Sequence, residues 1–181
     1  MIEIGLDFLP VHEFLSGLEV LVGSGREIFL SVEVKVLVMG IYDKILVPTD
    51  GSEGASVSVD HAIEIAEKFD AEVHILYVVD VRASTAGDVW ANMVGRFHEI
   101  GEDSTSAIAE RLRNHGIESV KKVLEGVPHQ EINSYADENG IDLIVMGTQG
   151  RTGLDRVLLG STTEKVVRTS DVPVMTVDRS E

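Results

Sequence analysis

From residue 41 onward the chain alternates between two hydrophobic periods. Lys44-Ile45-Leu46-Val47-Pro48-Thr49 is a short apolar run ending in turn-forming residues, and it reads as a strand. Ala55, Val59, Ala62, Ala66 and Phe69 then recur at steps of three and four, which predicts an amphipathic helix. Residues 73–79 form a second apolar run and a second strand. A connection over about 80–95 leads to a longer helix carrying Phe97, Ile100, Ile108 and Leu112 and ending near Gly116. Residues 120–124 predict a third strand. Pro128 can open the next helix at its first turn, and that helix runs to Gly140. The fourth strand is predicted over 143–146, a last helix from Ser161 to about Thr169, and a fifth strand over Val174–Val177.

Strands that alternate with helices imply a parallel sheet, and strands buried on both faces read as continuous apolar runs. The expected class is therefore α/β: an open, doubly wound, parallel five-stranded sheet with helices on both faces. Ligands of such sheets sit outside the carboxyl ends of the strands, where the strand order reverses. With the order 3-2-1-4-5, strands one and four meet at that reversal. The loops that follow them, Pro48-Thr49-Asp50-Gly51-Ser52 and the segment after Met146, would then face one crevice.

Residues 1–40 fall outside the alternation and are separated from the α/β domain at 41–181. Leu18-Glu19-Val20-Leu21-Val22, then Gly23-Ser24-Gly25, then an alternating stretch from Ile28 to Val38 read as a β-hairpin. Such a hairpin could serve self-association. Met39, just ahead of the domain, is equally readable as the natural start.

Composition narrows the function classes. The 181 residues are 44% hydrophobic with four prolines, enough for a real core. There is no cysteine, which removes disulfides, zinc-thiolate sites and thiol catalysis and fits a reducing, cytoplasmic setting. The formal net charge is −16 and no Lys/Arg cluster could follow a phosphate backbone, which argues against a nucleic-acid partner. No stretch approaches the length of a membrane span.

The chemistry concentrates between Gly147 and Ser161, which read Gly-Thr-Gln-Gly-Arg-Thr-Gly-Leu-Asp-Arg-Val-Leu-Leu-Gly-Ser. Glycines at 147, 150 and 160 would let main-chain N–H groups approach a ligand closely. A helix start just behind them presents unpaired N–H groups and a positive dipole end. These features describe an anion site, and a nucleotide's phosphates are the expected anion. Arg151 or Arg156 could add local positive charge. Ser161-Thr162-Thr163-Glu164 also has the form of a capping box, which would need no ligand. There is no G-x-x-x-x-G-K-[ST] segment, and the first β-α turn is not G-x-G-x-x-G, so neither a P-loop nor an ordinary dinucleotide site is expected.

The six histidines, at 12, 61, 74, 98, 115 and 129, have no metal-ligand spacing and read as core or surface residues. Asp80 at the end of strand two reads as a solvated strand end before a metal ligand. The 80–95 connection reads as a surface segment, with a lid that puts Trp90 or Met93 over a base as the sharper alternative. No nucleophile-base set or paired-carboxylate site stands out, so no catalytic residue is assigned. Binding phosphates uniformly does not accelerate their transfer, and hydrolysis is expected to be slow or absent.

The sequence resembles the universal stress protein family over residues 41–181. The likeness rests on the opening from Tyr42 to Ser52 and on Leu76-Tyr77-Val78-Val79-Asp80. It continues in Gly126-Val127-Pro128, in Asp142-Leu143-Ile144-Val145-Met146-Gly147, in G-x2-G-x9-G-[ST] at 147–161 and in Val172-Pro173-Val174. An intact glycine pattern marks that family's ATP-binding branch. The resemblance implies that Pro48 and Asp50 lie beside the nucleoside, with Asp50 near the ribose. It implies that Val78 meets adenine through its main chain, and that Gly147, Gly150, Gly160, Ser161 and Thr162 surround the phosphates. Thr49, Met146, Arg151 and Thr163, which flank these positions, complete the expected site. Mg2+ or Mn2+ often accompanies the phosphates in such proteins. The family commonly forms homodimers through the last strand, here Val174–Val177.

An ATP-binding switch or sensor of the stress-response type is the first functional expectation. An ATP-pyrophosphatase-like nucleotidyl transferase is the second, although its S-G-G-x-D-S signature is only loosely echoed by Thr49-Asp50-Gly51-Ser52. A nucleotide-free dimeric scaffold is the third.

Overall fold

The computed structural model describes residues 41–83, 88–148 and 159–178. The hairpin expected within 1–40, and Gly150, Arg151 and Arg156 of the glycine loop, lie outside the described residues. Within them, five strands and four helices alternate: β1 Lys44–Thr49, α1 Glu53–Phe69, β2 Glu72–Asp80, α2 Asp88–Asn114, β3 Ser119–Gly126, α3 Pro128–Asn139, β4 Leu143–Gly147, α4 Ser161–Thr169 and β5 Val174–Val177. All ladders are parallel and the strand order is β3-β2-β1-β4-β5. The expected open, doubly wound sheet is what forms.

Alternation along the strands divides the core in two. Ile45, Val47, Val73, Ile75 and Val145 point to one face, where they pack with Val59 and Ala62 of α1 and Ile108 and Leu112 of α2. Leu46, Leu76, Ile144 and Met146 point to the other face and meet Ile132 and Tyr135 of α3 and Val166 of α4. Full burial of such a side chain contributes roughly 1.5–3 kcal/mol.

Local signals set the helix ends. Ser52 caps α1, its Oγ accepting from the Ala55 N–H at 3.3 Å. Pro128 occupies the first turn of α3, and Gly140 closes that helix with φ 62°, a left-handed position where glycine is unstrained.

Two expectations need correcting. α2 begins at Asp88, so the second half of the 80–95 connection, residues 88–95, is helix. Gly95 and Gly101, inside that helix, diluted its periodic signal. Nor is every strand buried on both faces: Val120, Lys121, Lys122 and Glu125 of β3 are exposed, because β3 is an edge strand.

Candidate functional site

The β1–β2 ladder runs to Thr49↔Tyr77, but the β1–β4 ladder stops at Leu46↔Ile144. The carboxyl ends of β1 and β4 therefore part, and a crevice opens at the reversal of strand order. Pro48 lies in this parted stretch. The Asp142 N–H donates to the Lys44 carbonyl at 2.9 Å, so alternate residues 44, 46 and 48 of β1 face β4. The N–H that proline lacks would point where no ladder remains. That is why a proline is tolerated in a central strand.

A cleft of about 470 Å3 occupies this end of the sheet, a volume typical of small-molecule sites. Pro48, Thr49, Asp50, Val78, Met146, Gly147, Gly160, Ser161, Thr162 and Thr163 all line it. The β1 loop is tightly folded: the Thr49 hydroxyl accepts from the Gly51 N–H at 3.1 Å and an Asp50 carboxylate oxygen accepts from the Ser52 N–H at 3.0 Å. Gly51 has φ 78°, so this turn needs its glycine.

Val78 enters through its main chain. The Glu72 N–H donates toward β1, to Asp43, and the Val73 N–H toward β3, to Glu118. Even-numbered residues of β2 thus face β1. The Val78 carbonyl points to that side one residue past the last β1 pair, at the cleft.

The start of α4 differs from the capping box. Gly160, not Ser161, is the N-cap, and no side chain caps the helix. Glu164 reaches away to Arg168 at 2.9 Å. The Gly160 N–H donates to the Thr148 carbonyl at 2.7 Å and the Thr163 hydroxyl to the Gly147 carbonyl at 2.9 Å. These two bonds fix the helix start one residue early. One amide expected at a ligand, that of Gly160, is therefore used within the protein. The N–H groups of Ser161, Thr162 and Thr163, at the first three helical positions, have no intrahelical acceptor. They open on the cleft with the positive end of the helix dipole.

Gly147 has a packing reason to lack a side chain. A Cβ there would stand 2.5 Å from the Gly54 carbonyl oxygen, in the first turn of α1. Asp80 and Arg82 line the cleft too, and sequence reasoning gave neither a place there. Arg82 Nε donates to both Asp80 carboxylate oxygens, at 2.9 and 3.1 Å. The Arg82 guanidinium lowers the Asp80 pKa through these hydrogen bonds, and the carboxylate is tied up as an ion pair. Phe97 of α2 is a further lining residue outside the expected set, and Met93, which the sequence placed over a base only in the sharper alternative, lines the cleft as well. Their four-residue spacing is a signal the sequence does carry.

The family model for the universal stress protein family matches residues 41–178. The chain belongs to the universal stress protein family. Universal stress protein MJ0531 of Methanocaldococcus jannaschii is 36% identical over 165 residues, covering 85% of this chain and 97% of that protein. MJ0577 of the same organism is 34% identical over 157 residues, covering 77% of this chain and 96% of its own. A solved structure of MJ0577 superposes with a TM-score of 0.71, over 78% of this chain and 99% of that one. A universal stress protein solved in complex with cAMP aligns with a TM-score of 0.62 at 27% identity, over 78% of this chain and 100% of its own.

Proposed function

We propose that this universal stress protein binds ATP in the cleft and acts as a cytoplasmic, homodimeric nucleotide-dependent switch or sensor. The observation that carries the reading is the uncapped start of α4: the Ser161, Thr162 and Thr163 amides open on the same cleft as the ends of β1 and β2. Phosphate oxygens complete such a helix start. The Val78 carbonyl is an acceptor suited to adenine's amino group, and Asp50 is an acceptor suited to ribose hydroxyls. Gly150 and Arg151 belong to the phosphate loop by their sequence positions between Gly147 and Gly160. The cAMP complex of a relative supports an adenine nucleotide as the ligand class.

A Mg2+ or Mn2+ ion would be held chiefly by the phosphates, with the Ser161 hydroxyl as a nearby oxygen. Among the described residues no cluster of three or more His, Asp or Glu could grip it. Hydrolysis is expected to be slow, since holding phosphates uniformly does not accelerate their transfer and, of the two carboxylates lining the cleft, Asp80 is paired with Arg82. Also among the described residues, no helix is long and apolar enough to cross a membrane.

Mass spectrometry of whatever leaves the purified protein on denaturation tests the reading, with ATP, AMP and cAMP distinguished by mass. Gly150→Val should abolish the heat-stability gain with Mg-ATP while leaving the ligand-free melting temperature within about 2 °C, because the β-branched side chain would occupy the phosphate position. A folded Gly150→Val protein with undiminished ATP affinity would count against the site.

A further inference from the structure

We propose that Met93 and Phe97 of α2 form one wall of the base-binding part of the cleft and set how tightly a purine is held. The proposal rests on the nucleotide reading above. α2 turns Gly101, Thr105, Ile108 and Leu112 toward the core, and all four are buried. The helix meets β2 tightly at Gly101, where a Cβ would stand 2.7 Å from Cδ1 of Tyr77. Counting back from Gly101 by fours gives Phe97 and Met93, so the buried stripe continues toward the helix start.

There the stripe has a cleft to face instead of a core. Both side chains line it, and Met93 is left 42% exposed. An apolar stripe that runs past its core and into a cleft leaves surface for a ligand to cover. This segment is also fastened to the sheet. His98, next to Phe97, has Nε2 2.6 Å from the Glu125 carboxylate, and Glu125 is paired with Val79 in the β2–β3 ladder. That bond ties the helix turn carrying Phe97 to the β3 residue opposite Val79, one position beyond Val78.

A purine has two apolar faces and a polar edge. An aromatic ring and an adaptable thioether suit the faces, and the carbonyl suits the edge. Pro48, Pro128, Ile132 and Met146 supply further apolar lining. Ribose and phosphates have no comparable face, so this wall acts on the base alone.

Mg-ATP affinity is measured by calorimetry for the wild-type chain and for Phe97→Ala, Phe97→Tyr, Met93→Ala and Ile100→Ala, with thermal melting to establish that each is folded. Loss of a base–aromatic stack predicts a weakening of about ten- to a hundred-fold in Phe97→Ala. Phe97→Tyr should stay within about three-fold of wild type, since it keeps the aromatic face. Met93→Ala should weaken binding about three- to ten-fold, given the modest strength of thioether contacts. It changes an exposed residue, so it carries the test if Phe97→Ala does not fold. Ile100, exposed on the same helix and not among the cleft residues, should be silent. Wild-type affinity in folded Phe97→Ala and Met93→Ala, or an equal loss in Phe97→Tyr and Phe97→Ala, overturns the proposal. A wild-type chain that binds no adenine nucleotide overturns the nucleotide reading, and this one with it.

Discussion

His74 is a buried imidazole with both nitrogens engaged: Nδ1 lies 2.9 Å from the Tyr135 hydroxyl and Nε2 lies 3.2 Å from the Glu72 carboxylate. Burial pushes the Tyr135 phenol above its usual pKa, and the charge of Glu72 adds to the effect. The folded protein therefore holds the tyrosine proton more tightly than the unfolded chain does. That stability is fully present below about pH 10, the ordinary tyrosine value, and is lost as pH rises through the higher folded value. Tyr135→Phe should flatten this part of the alkaline stability profile in denaturant titrations between pH 9 and 11. At pH 7 it should cost about 1–3 kcal/mol, because a buried imidazole nitrogen loses its partner. An alkaline profile identical to wild type would refute the assignment. The sequence allowed His74 to be read as a strand or core histidine, but its partner Tyr135 is 61 positions away and no local pattern could name it. Gly147 shows the same limit from the other side. Its place in the glycine pattern was plain, whereas its need to clear the Gly54 carbonyl depends on how α1 crosses β4.

At the scale of elements, strand and helix order was legible because each segment's apolar period matched its environment. The errors fell where tertiary contacts overrode a local signal. Ser161 has the right neighbours for a capping box. Bonds from Gly160 to Thr148 and from Thr163 to Gly147 nevertheless set the helix start one residue earlier. β3 reads Val-Lys-Lys-Val because it is an edge strand, a fact of topology and not of its own period. The uncapped start of α4 gives a sharp test. Gly160 has φ −54° and ψ 142°, values that any residue adopts. Gly160→Asp supplies an N-cap carboxylate at the positive end of the helix, which should stabilise the ligand-free protein by about 0.5–1 kcal/mol in urea titrations. The same charge would stand beside the phosphates and should weaken Mg-ATP binding at least about ten-fold, following the like-charge penalty at close range. Stability and affinity are thus expected to move in opposite directions. Unchanged affinity in the stabilised variant would mean that phosphates do not sit at this helix.

For the whole molecule, the contrast between the two sheet edges bears on assembly. The β3 edge carries exposed Lys121, Lys122 and Glu125, and Lys121 Nζ donates to Ser106 at 2.9 Å. Charges of this kind discourage strand addition. The β5 edge reads Val-Met-Thr-Val with no charge, and Met175 on it and Val167 of α4 are 36% and 46% exposed. The strand's polarity pattern can be read from its ladder. The Ile144 N–H donates to the Pro173 carbonyl and the Thr148 N–H to the Val177 carbonyl, so both carbonyls lie on the β4 side. Odd-numbered residues of β5 thus face β4, and Val174 and Thr176 turn their N–H and C=O groups outward. In a protein with a net charge of −16, long-range repulsion opposes self-association. A dimer would therefore need a short-range, directional contact, and an uncharged strand edge offers one. Thr176→Pro removes one outward N–H and leaves the β4 ladder whole, a change edge strands tolerate. Sedimentation should find wild type dimeric and Thr176→Pro monomeric at the same concentration. ATP affinity should stay within about three-fold, because Thr176 is not among the residues lining the cleft. A Thr176→Pro protein that remains dimeric would remove β5 as the contact and leave the uncharged edge to be explained by something other than a second copy of the chain.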